Sequence, residues 1–432
     1  MKHEHQAGCD EYVSLSRRGF LGVTGAAAAA AVALPAWLPR VSVARAYRSG
    51  TRDVMVSIFL RGGADALSLV PPFGEAAYYA NRSSTALARP DQTSIPVAQR
   101  AINLDGFFGL APALAPLLPA YQDGKLLIVH ATGSTDPTRS HFDAQRFMES
   151  GKPSDRTVST GWLGRHLAST LPGVPGAPLR GLALLPGLPR QMLGAPQALP
   201  IPDPANFRLQ GNLSSASERE NMLTTRYGSD QGAIGVSAEN SLATIDLLAQ
   251  IGFTGYAPAG NAIYPATPFA QSLRAAAALI KAQVGVEAIA IDLDGWDTHA
   301  RQGATDGPIA VLADTLAAGL GAFYRDMTAG VAPSFALAVM SEFGRRVVEN
   351  GVQGTDHGRG GAMFLMGPAI TGGRVLTQWP TLAPAALYDG QDLAVTIDYR
   401  DILAEVVFKR LGNPNLAEVF PGFSPTFRGV TP

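Results

Sequence analysis

One cysteine, Cys9, stands in 432 residues. A lone thiol excludes an intrachain disulfide framework and a thiolate metal site. Charge is scarce too: only 16% of residues are Asp, Glu, Lys or Arg, and 34 basic side chains face 35 acidic ones. With a formal charge of −1 the chain has no field of one sign, so nucleic acid is not an expected partner. Apolar residues, by contrast, make up 46% of the chain. That is enough for a large core and excludes a disordered or collagen-like chain. The length allows two or three domains, but an α/β fold of this size can be one.

The first 46 residues differ from the rest. Ser16-Arg-Arg-Gly-Phe-Leu21 is followed by an Ala-rich apolar stretch from Val23 to Leu34 and then by Val43-Ala-Arg-Ala46. A basic region, a short apolar region and an A-x-A site in this order are the signature of a cleaved export signal. The pair Arg17-Arg18 resembles the twin-arginine signal, whose cargo crosses the membrane already folded. Residues 1–46 are therefore expected to engage the membrane export machinery, and residues 47–432 to form one domain in the periplasm or outside the cell. The alternative, an uncut membrane anchor, would need an apolar run of roughly 20 residues, longer than this one. Cleavage after Ala46 would leave 29 basic and 32 acidic residues, a formal charge of −3, and no cysteine.

Along the remaining chain, residues 53–60 (DVMVSIFL), 125–131 (KLLIVHA), 287–294 (EAIAIDLD) and 334–340 (SFALAVM) read as buried strands, with a short fifth run at 362–366. Helical spacing is expected over 111–122, 140–150 with Ser140 at the N-cap, 214–251, 268–284, 307–327 and 398–411. Residues 171–206 carry many Pro and Leu with little period and read as loop and short extended pieces, part of an inserted cap over about 171–270. Strands apolar on both faces, alternating with helices, imply a mostly parallel sheet covered on both sides. Ligands in such sheets lie beyond the carboxyl ends of the strands.

The polar motifs fall in those loops. Asp65 follows the first strand, Thr138 to His141 the second, Asp297 and His299 the third, Glu342 the fourth, and Asp356-His357 come soon after. Carboxylates and imidazoles of this kind suit one or two divalent cations: Zn, Mn, Mg or Ca. The hydroxyls of Ser140 and Thr138, near a helix start, suit a metal-activated nucleophile, and a helix N-terminus favours an anion beside them. Arg61 or Arg139 would hold an anionic group. Each residue has a plainer alternative. Ser140 can be only an N-cap, and Asp65 can satisfy the amides of a Gly turn. Glu342 can pair with Arg345 or Arg346, and Asp297 or His299 can cap the next segment. Asp356 can orient His357. His130 reads as a core residue and His166 as a helix-surface one.

Several spaced motifs resemble one family. They are Phe59-Leu-Arg-Gly-Gly-Ala-Asp65, Leu104-Asp-Gly-Phe-Phe-Gly-Leu110, Arg139-Ser-His-Phe142, Asp294-Gly-Trp-Asp-Thr-His299, Ser341-Glu-Phe-Gly-Arg345, Gly354-Thr-Asp-His-Gly358 and Thr396-Ile-Asp-Tyr-Arg400. In order and with the leader they look like the exported "domain of unknown function 1501" family, itself similar to the alkaline phosphatase and sulfatase superfamily. The resemblance implies a three-layer αβα sandwich with a metal centre at the strand ends. It also implies Asp65 as an acidic ligand, Ser140 as nucleophile with Thr138 as second choice, and Asp297 and His299 as ligands of one metal. Glu342 takes a carboxylate place and His357, with Asp356, the place of a late histidine. Phe343 takes the place of a histidine ligand, which implies one metal or a centre without hydrolysis. The expected function is hydrolysis of phosphate or sulfate esters, on a small anionic ester or an envelope polymer. The alternative is a non-catalytic binding or assembly protein on the same scaffold.

Overall fold

The computed structural model describes residues 52–230, 232–330 and 333–432. The export segment expected over residues 1–46 lies outside them. Nine strands form one sheet: β1 (Val54–Leu60), β2 (Leu126–Gly133), β3 (Gly181–Ala183), β4 (Ala198–Pro200), β5 (Ala288–Leu293), β6 (Phe335–Ser341), β7 (Gly361–Met366), β8 (Arg374–Leu376) and β9 (Ile397–Asp398). Their order is β8-β2-β7-β6-β1-β5-β3-β4, with β9 also on β2. Every pairing is parallel except those of β7, which runs antiparallel to both β2 and β6.

Alternation along β1 divides the core in two. Val54, Val56, Ile58 and Leu60 face one helical layer, together with residues of Pro268–Ala282 and Gly307–Thr328. Met55 and Phe59 face the other, with residues of His141–Ser150, Trp162–Ala168 and Tyr399–Lys409. Successive strand side chains point to opposite faces, so a strand apolar at every position can serve both layers. The result is a three-layer αβα sandwich. In chain order the helices include α1 (Ala66–Leu69), α2 (His141–Ser150), α3 (Trp162–Ala168), α4 (Ala216–Tyr227), α5 (Ala233–Ile251), α6 (Pro268–Ala282), α7 (Gly307–Thr328) and α8 (Tyr399–Lys409). Thr267 caps α6 by accepting from the Ala270 amide, and Pro268 occupies the first turn, where its missing N–H costs nothing.

Three local expectations differ. Residues 112–117 form a 3-10 segment and only 118–122 an α-helix, because Pro116 and Pro119 interrupt the hydrogen-bond ladder. Within 171–206, β3 and β4 are strands of the main sheet, each too short at three residues for a period to show. The helix α3 at 162–168 carried no periodic signal long enough to be read. α4 and α5 pack on one another, and α5 touches α6.

The carboxyl ends of β1, β2, β5 and β6 lie on one edge of the sheet. β7, being antiparallel, starts at that same edge. The loops after four strands and the loop before a fifth therefore meet there.

Candidate metal centre

Four side chains converge at that edge: His141 at the start of α2, Asp297 and His299 after β5, and His357 before β7. Nε2 of His299 and Nε2 of His357 lie 3.0 and 3.1 Å from Asp297 Oδ1, and Nε2 of His141 lies 3.5 Å from it. His141, Asp297 and His357 each present one ligand atom, all within 4.8 Å of one another, a spacing that could hold a metal ion. Asp297 and His299 are nearly half exposed, at 47% and 42%, so the cluster opens to solvent.

The other nitrogen of each ring is held from behind. His141 Nδ1 lies 2.8 Å from Glu342 Oε1, His299 Nδ1 lies 3.1 Å from Asp356 Oδ1, and His357 Nδ1 lies 2.9 Å from the Arg139 carbonyl. A carboxylate or carbonyl only accepts, so each Nδ1 carries a proton; Asp297 Oδ1 is an acceptor too, so each Nε2 that faces it needs either a second proton to donate or a cation between the two. An acceptor behind Nδ1 fixes the orientation of an imidazole whose Nε2 serves as a metal ligand. The arrangement also leaves His299 Nε2 facing His357 Nε2 at 2.9 Å. Two lone pairs at that distance repel; a proton on one of them, or a cation beside them, removes the conflict. His141 Nε2 is buried with no hydrogen-bond partner.

Glu342 is fully buried behind His141. Its Oε1 accepts from the Gly62 amide at 2.8 Å and Gln145 Nε2 at 2.9 Å as well as from His141, and its Oε2 from Ser341 Oγ at 2.9 Å. Burial pushes this carboxyl up, but the donors outweigh burial and hold it below its usual range. The hydrogen bond to Glu342 raises His141, while burial lowers His357. Partial burial also pushes Asp297 up, but Arg345 and the imidazoles hold it down at about 2. Asp356 is lowered first by its bond from Asn350 and then by His299.

Arg345, fully buried, ties the loops together. It donates to the carbonyls of Gly63 (2.6 Å), Thr355 (2.8 Å), Trp296 (3.0 Å) and Gly62, and to Asp297 Oδ1 at 2.7 Å. Gly62, at φ +121°, lets the first loop pass close enough that a Cβ there would sit 2.6 Å from the Asp297 amide. Phe343 packs against both His141 and His357, with ring centroids 4.9 Å away in each case.

Several sequence-derived residues stand elsewhere than expected. Asp65 is not in the cluster: it is completely buried against Arg82, Ser68 and Gln302, and Gln302 in turn accepts from Thr298 and Thr355. Burial raises its pKa, but Arg82 and the other donors outweigh that and lower it, so Asp65 is a charged brace between loops. Arg61 is not free to bind an anion, because its donors are engaged by Glu149 (3.0 and 3.1 Å) and Asp292 (2.9 and 3.2 Å). Glu342 pairs with neither Arg345 nor Arg346, and it holds His141 from behind instead of joining the convergent atoms. Asp356 orients His299 and not His357. Ser140 occupies the N-cap position, yet its hydroxyl makes no capping bond and is exposed. The Thr138 hydroxyl accepts from the Ser140 amide at 3.2 Å. Arg139 is paired with Asp392 at 2.6 Å. His130 is a core residue, whereas His166 is buried against Asn413 and not on a helix surface.

The sequence does not single out Gln145 or Asn350, and it suggests Arg345 only as a partner of Glu342. Gln145 follows His141 by four residues on α2, a spacing that places both on one face and both on Glu342. Arg345 and Asn350 act through folded loops that no local spacing reveals.

A family model described as "Protein of unknown function (DUF1501)" matches residues 52–407. No curated protein and no solved structure matches the chain.

Proposed function

The chain belongs to the DUF1501 family, whose description assigns no activity, and from its own residues we propose that it is an exported metal-dependent hydrolase of phosphate or sulfate esters with one metal ion. The observation that carries this is the convergence of three imidazole Nε2 atoms on Asp297, each imidazole held at Nδ1 by an acceptor. His141, His299, His357 and Asp297 would hold the ion. Three nitrogens and one carboxylate suit Zn²⁺ or Mn²⁺ better than Mg²⁺ or Ca²⁺, which prefer all-oxygen sets. When bound, such an ion supplies Lewis-acid stabilisation of charge developing on the ester oxygens.

The chain's own groups do the rest. Ser140 is the nucleophile, because Thr138 is occupied in the turn while the Ser140 hydroxyl is free, exposed and next to His141. It lies at the N-terminus of a ten-residue helix, where the dipole favours negative charge on the attacking oxygen. Its Oγ forms a bond to phosphorus or sulfur, the alcohol leaves, and water then cleaves the Ser140 ester. Glu342 and Asp356 keep the imidazoles in register, and Arg345 keeps Asp297 ionised.

The test is metal content of the purified protein together with turnover of p-nitrophenyl phosphate and p-nitrophenyl sulfate. Bound Zn or Mn, and turnover abolished in both Asp297→Asn and Ser140→Ala, is the expected result. Protein free of metal after expression with either ion, or Ser140→Ala as active as wild type, overturns it. A second reading, binding without turnover, is favoured by Arg61, whose donors face carboxylates and not the cluster. It predicts bound metal with no hydrolysis of either ester.

A further inference from the structure

We propose that Arg139, Arg346 and Arg359 form an anion-recognition wall on one flank of the imidazole cluster. The wall takes a phosphate, sulfate or carboxylate group that the substrate carries in addition to its scissile ester. The proposal rests on the reading of that cluster as the reaction centre. The three arginines come from separate loops, after β2, after β6 and before β7, and meet around Asp392: Arg139 pairs with its carboxylate, Arg346 and Tyr388 each form a backbone bridge with Asp392, and Arg359 lies over Tyr388. Arg139 takes that carboxylate, giving Nε and Nη2 to the same oxygen at 3.2 and 2.6 Å. Arg346 is left with Asp356 at 3.8 Å, beyond hydrogen-bond reach, and its buried Nε finds no acceptor. Arg359 lies over the Tyr388 ring at 3.9 Å and gives one N–H to the Thr135 carbonyl at 3.0 Å, and its buried Nε also lacks an acceptor.

Three cations facing Asp392 and Asp356 leave one positive charge uncompensated, and Arg346 and Arg359 do not reach Asp392 Oδ1, which is buried without a partner. Like charges repel, and an oxyanion held by the part-exposed guanidinium groups of Arg139 and Arg346 offsets that repulsion. The side chains of Arg139 and Arg346 are about one-third exposed, at 32% and 36%, so the wall is open to a ligand. Its place relative to the cluster is set by two contacts. The Arg139 carbonyl holds His357, and Asp356 stands between Arg346 and His299. An anion here is therefore offset from the convergent Nε2 atoms, which makes it a second group on the substrate and not the ester under attack.

The experiment titrates inorganic phosphate, sulfate and acetate separately into the purified, metal-stripped protein by calorimetry. Saturable 1:1 binding of at least one anion, weakening with added salt, is expected, and the tightest of the three identifies the group. The double variant Arg346→Ala/Arg359→Ala loses affinity by about tenfold or more. Arg208→Ala, which removes an exposed positive charge elsewhere, leaves affinity unchanged. Cooperative thermal unfolding of the double variant shows that it is folded, and single Arg346→Gln and Arg359→Gln variants serve if it is not. No saturable binding by wild type, or equal binding by folded variants, overturns the proposal. Anion binding without ester turnover overturns only the hydrolase reading.

Discussion

Glu342→Gln separates the electrostatic role of this residue from its structural one. The carboxylate is fully buried, and its Oε1 accepts from the Gly62 amide, Gln145 and His141 at 2.8, 2.9 and 2.8 Å. Glutamine keeps the shape and can keep an oxygen toward those three donors, with its amide turned to Ser341 Oγ. The fold should therefore survive with a loss of no more than about 1 kcal/mol. The charge behind His141 disappears, however, and a neutral acceptor is roughly half as strong as an ionised one. The imidazole becomes a poorer ligand, and metal affinity should fall by about 10- to 100-fold, or roughly 1.4–2.7 kcal/mol. Glu342→Ala differs in kind. It strands three buried donors at about 1–3 kcal/mol each, a total that approaches the whole stability of a typical domain. Competition with a chromogenic chelator for Zn²⁺ at neutral pH measures the first effect, and urea unfolding the second. If the Gln variant holds Zn²⁺ within about twofold of wild type, Glu342 does not support a metal ligand and the reasoning fails.

His130 and Gly62 offer further tests. His130 is fully buried, with Nε2 donating to the Val70 carbonyl at 3.0 Å and Nδ1 accepting from the Ala131 amide at 2.8 Å. A second proton would face an N–H, and burial lowers the pKa to about 4. Because the folded value lies below the unfolded value of about 6.5, this stability is complete above that pH and is lost as pH falls toward 4, at about 1.4 kcal/mol per unit. Urea unfolding between neutral and mildly acid pH should show that slope, and His130→Gln should reduce it by one proton's share; an unchanged slope would remove His130 as its source. Gly62→Ala should cost about 2–4 kcal/mol, because the new Cβ meets Asp297 backbone at a positive φ that alanine resists, and neither side can yield. Unfolding at wild-type urea concentration would contradict that close approach.

The long strands and the alternation of strands with helices were legible because each strand is apolar on both faces over six to eight residues. The three-residue edge strands β3 and β4 were not, since three residues carry no period. The reversed direction of β7 was equally hidden, because a buried run reads the same either way. At the site, Asp297, His299 and His357 could be selected by their place after or before strands. What each does could not, because Glu342, Asp356 and Asp65 are chemically alike and differ only in what reaches them. Arg82 and Gln302 close around Asp65, while His141 and Gln145 close around Glu342. Those partners lie up to 237 residues away in the chain.

The position of β7 also dictates when the site can come into being. His141 follows β2, whereas Asp297, His299 and Glu342 follow β5 and β6, and β2 reaches β6 only through β7. That strand spans residues 361–366, so the two halves of the cluster have no shared sheet until most of the chain has been made and β7 has paired on both sides. Such long-range pairings are formed late and slowly. An ion therefore cannot nucleate folding here as it does in a zinc finger. An ion bound at this cluster would be captured by a finished scaffold, and a chain that stops before residue 361 lacks the strand that joins the two halves.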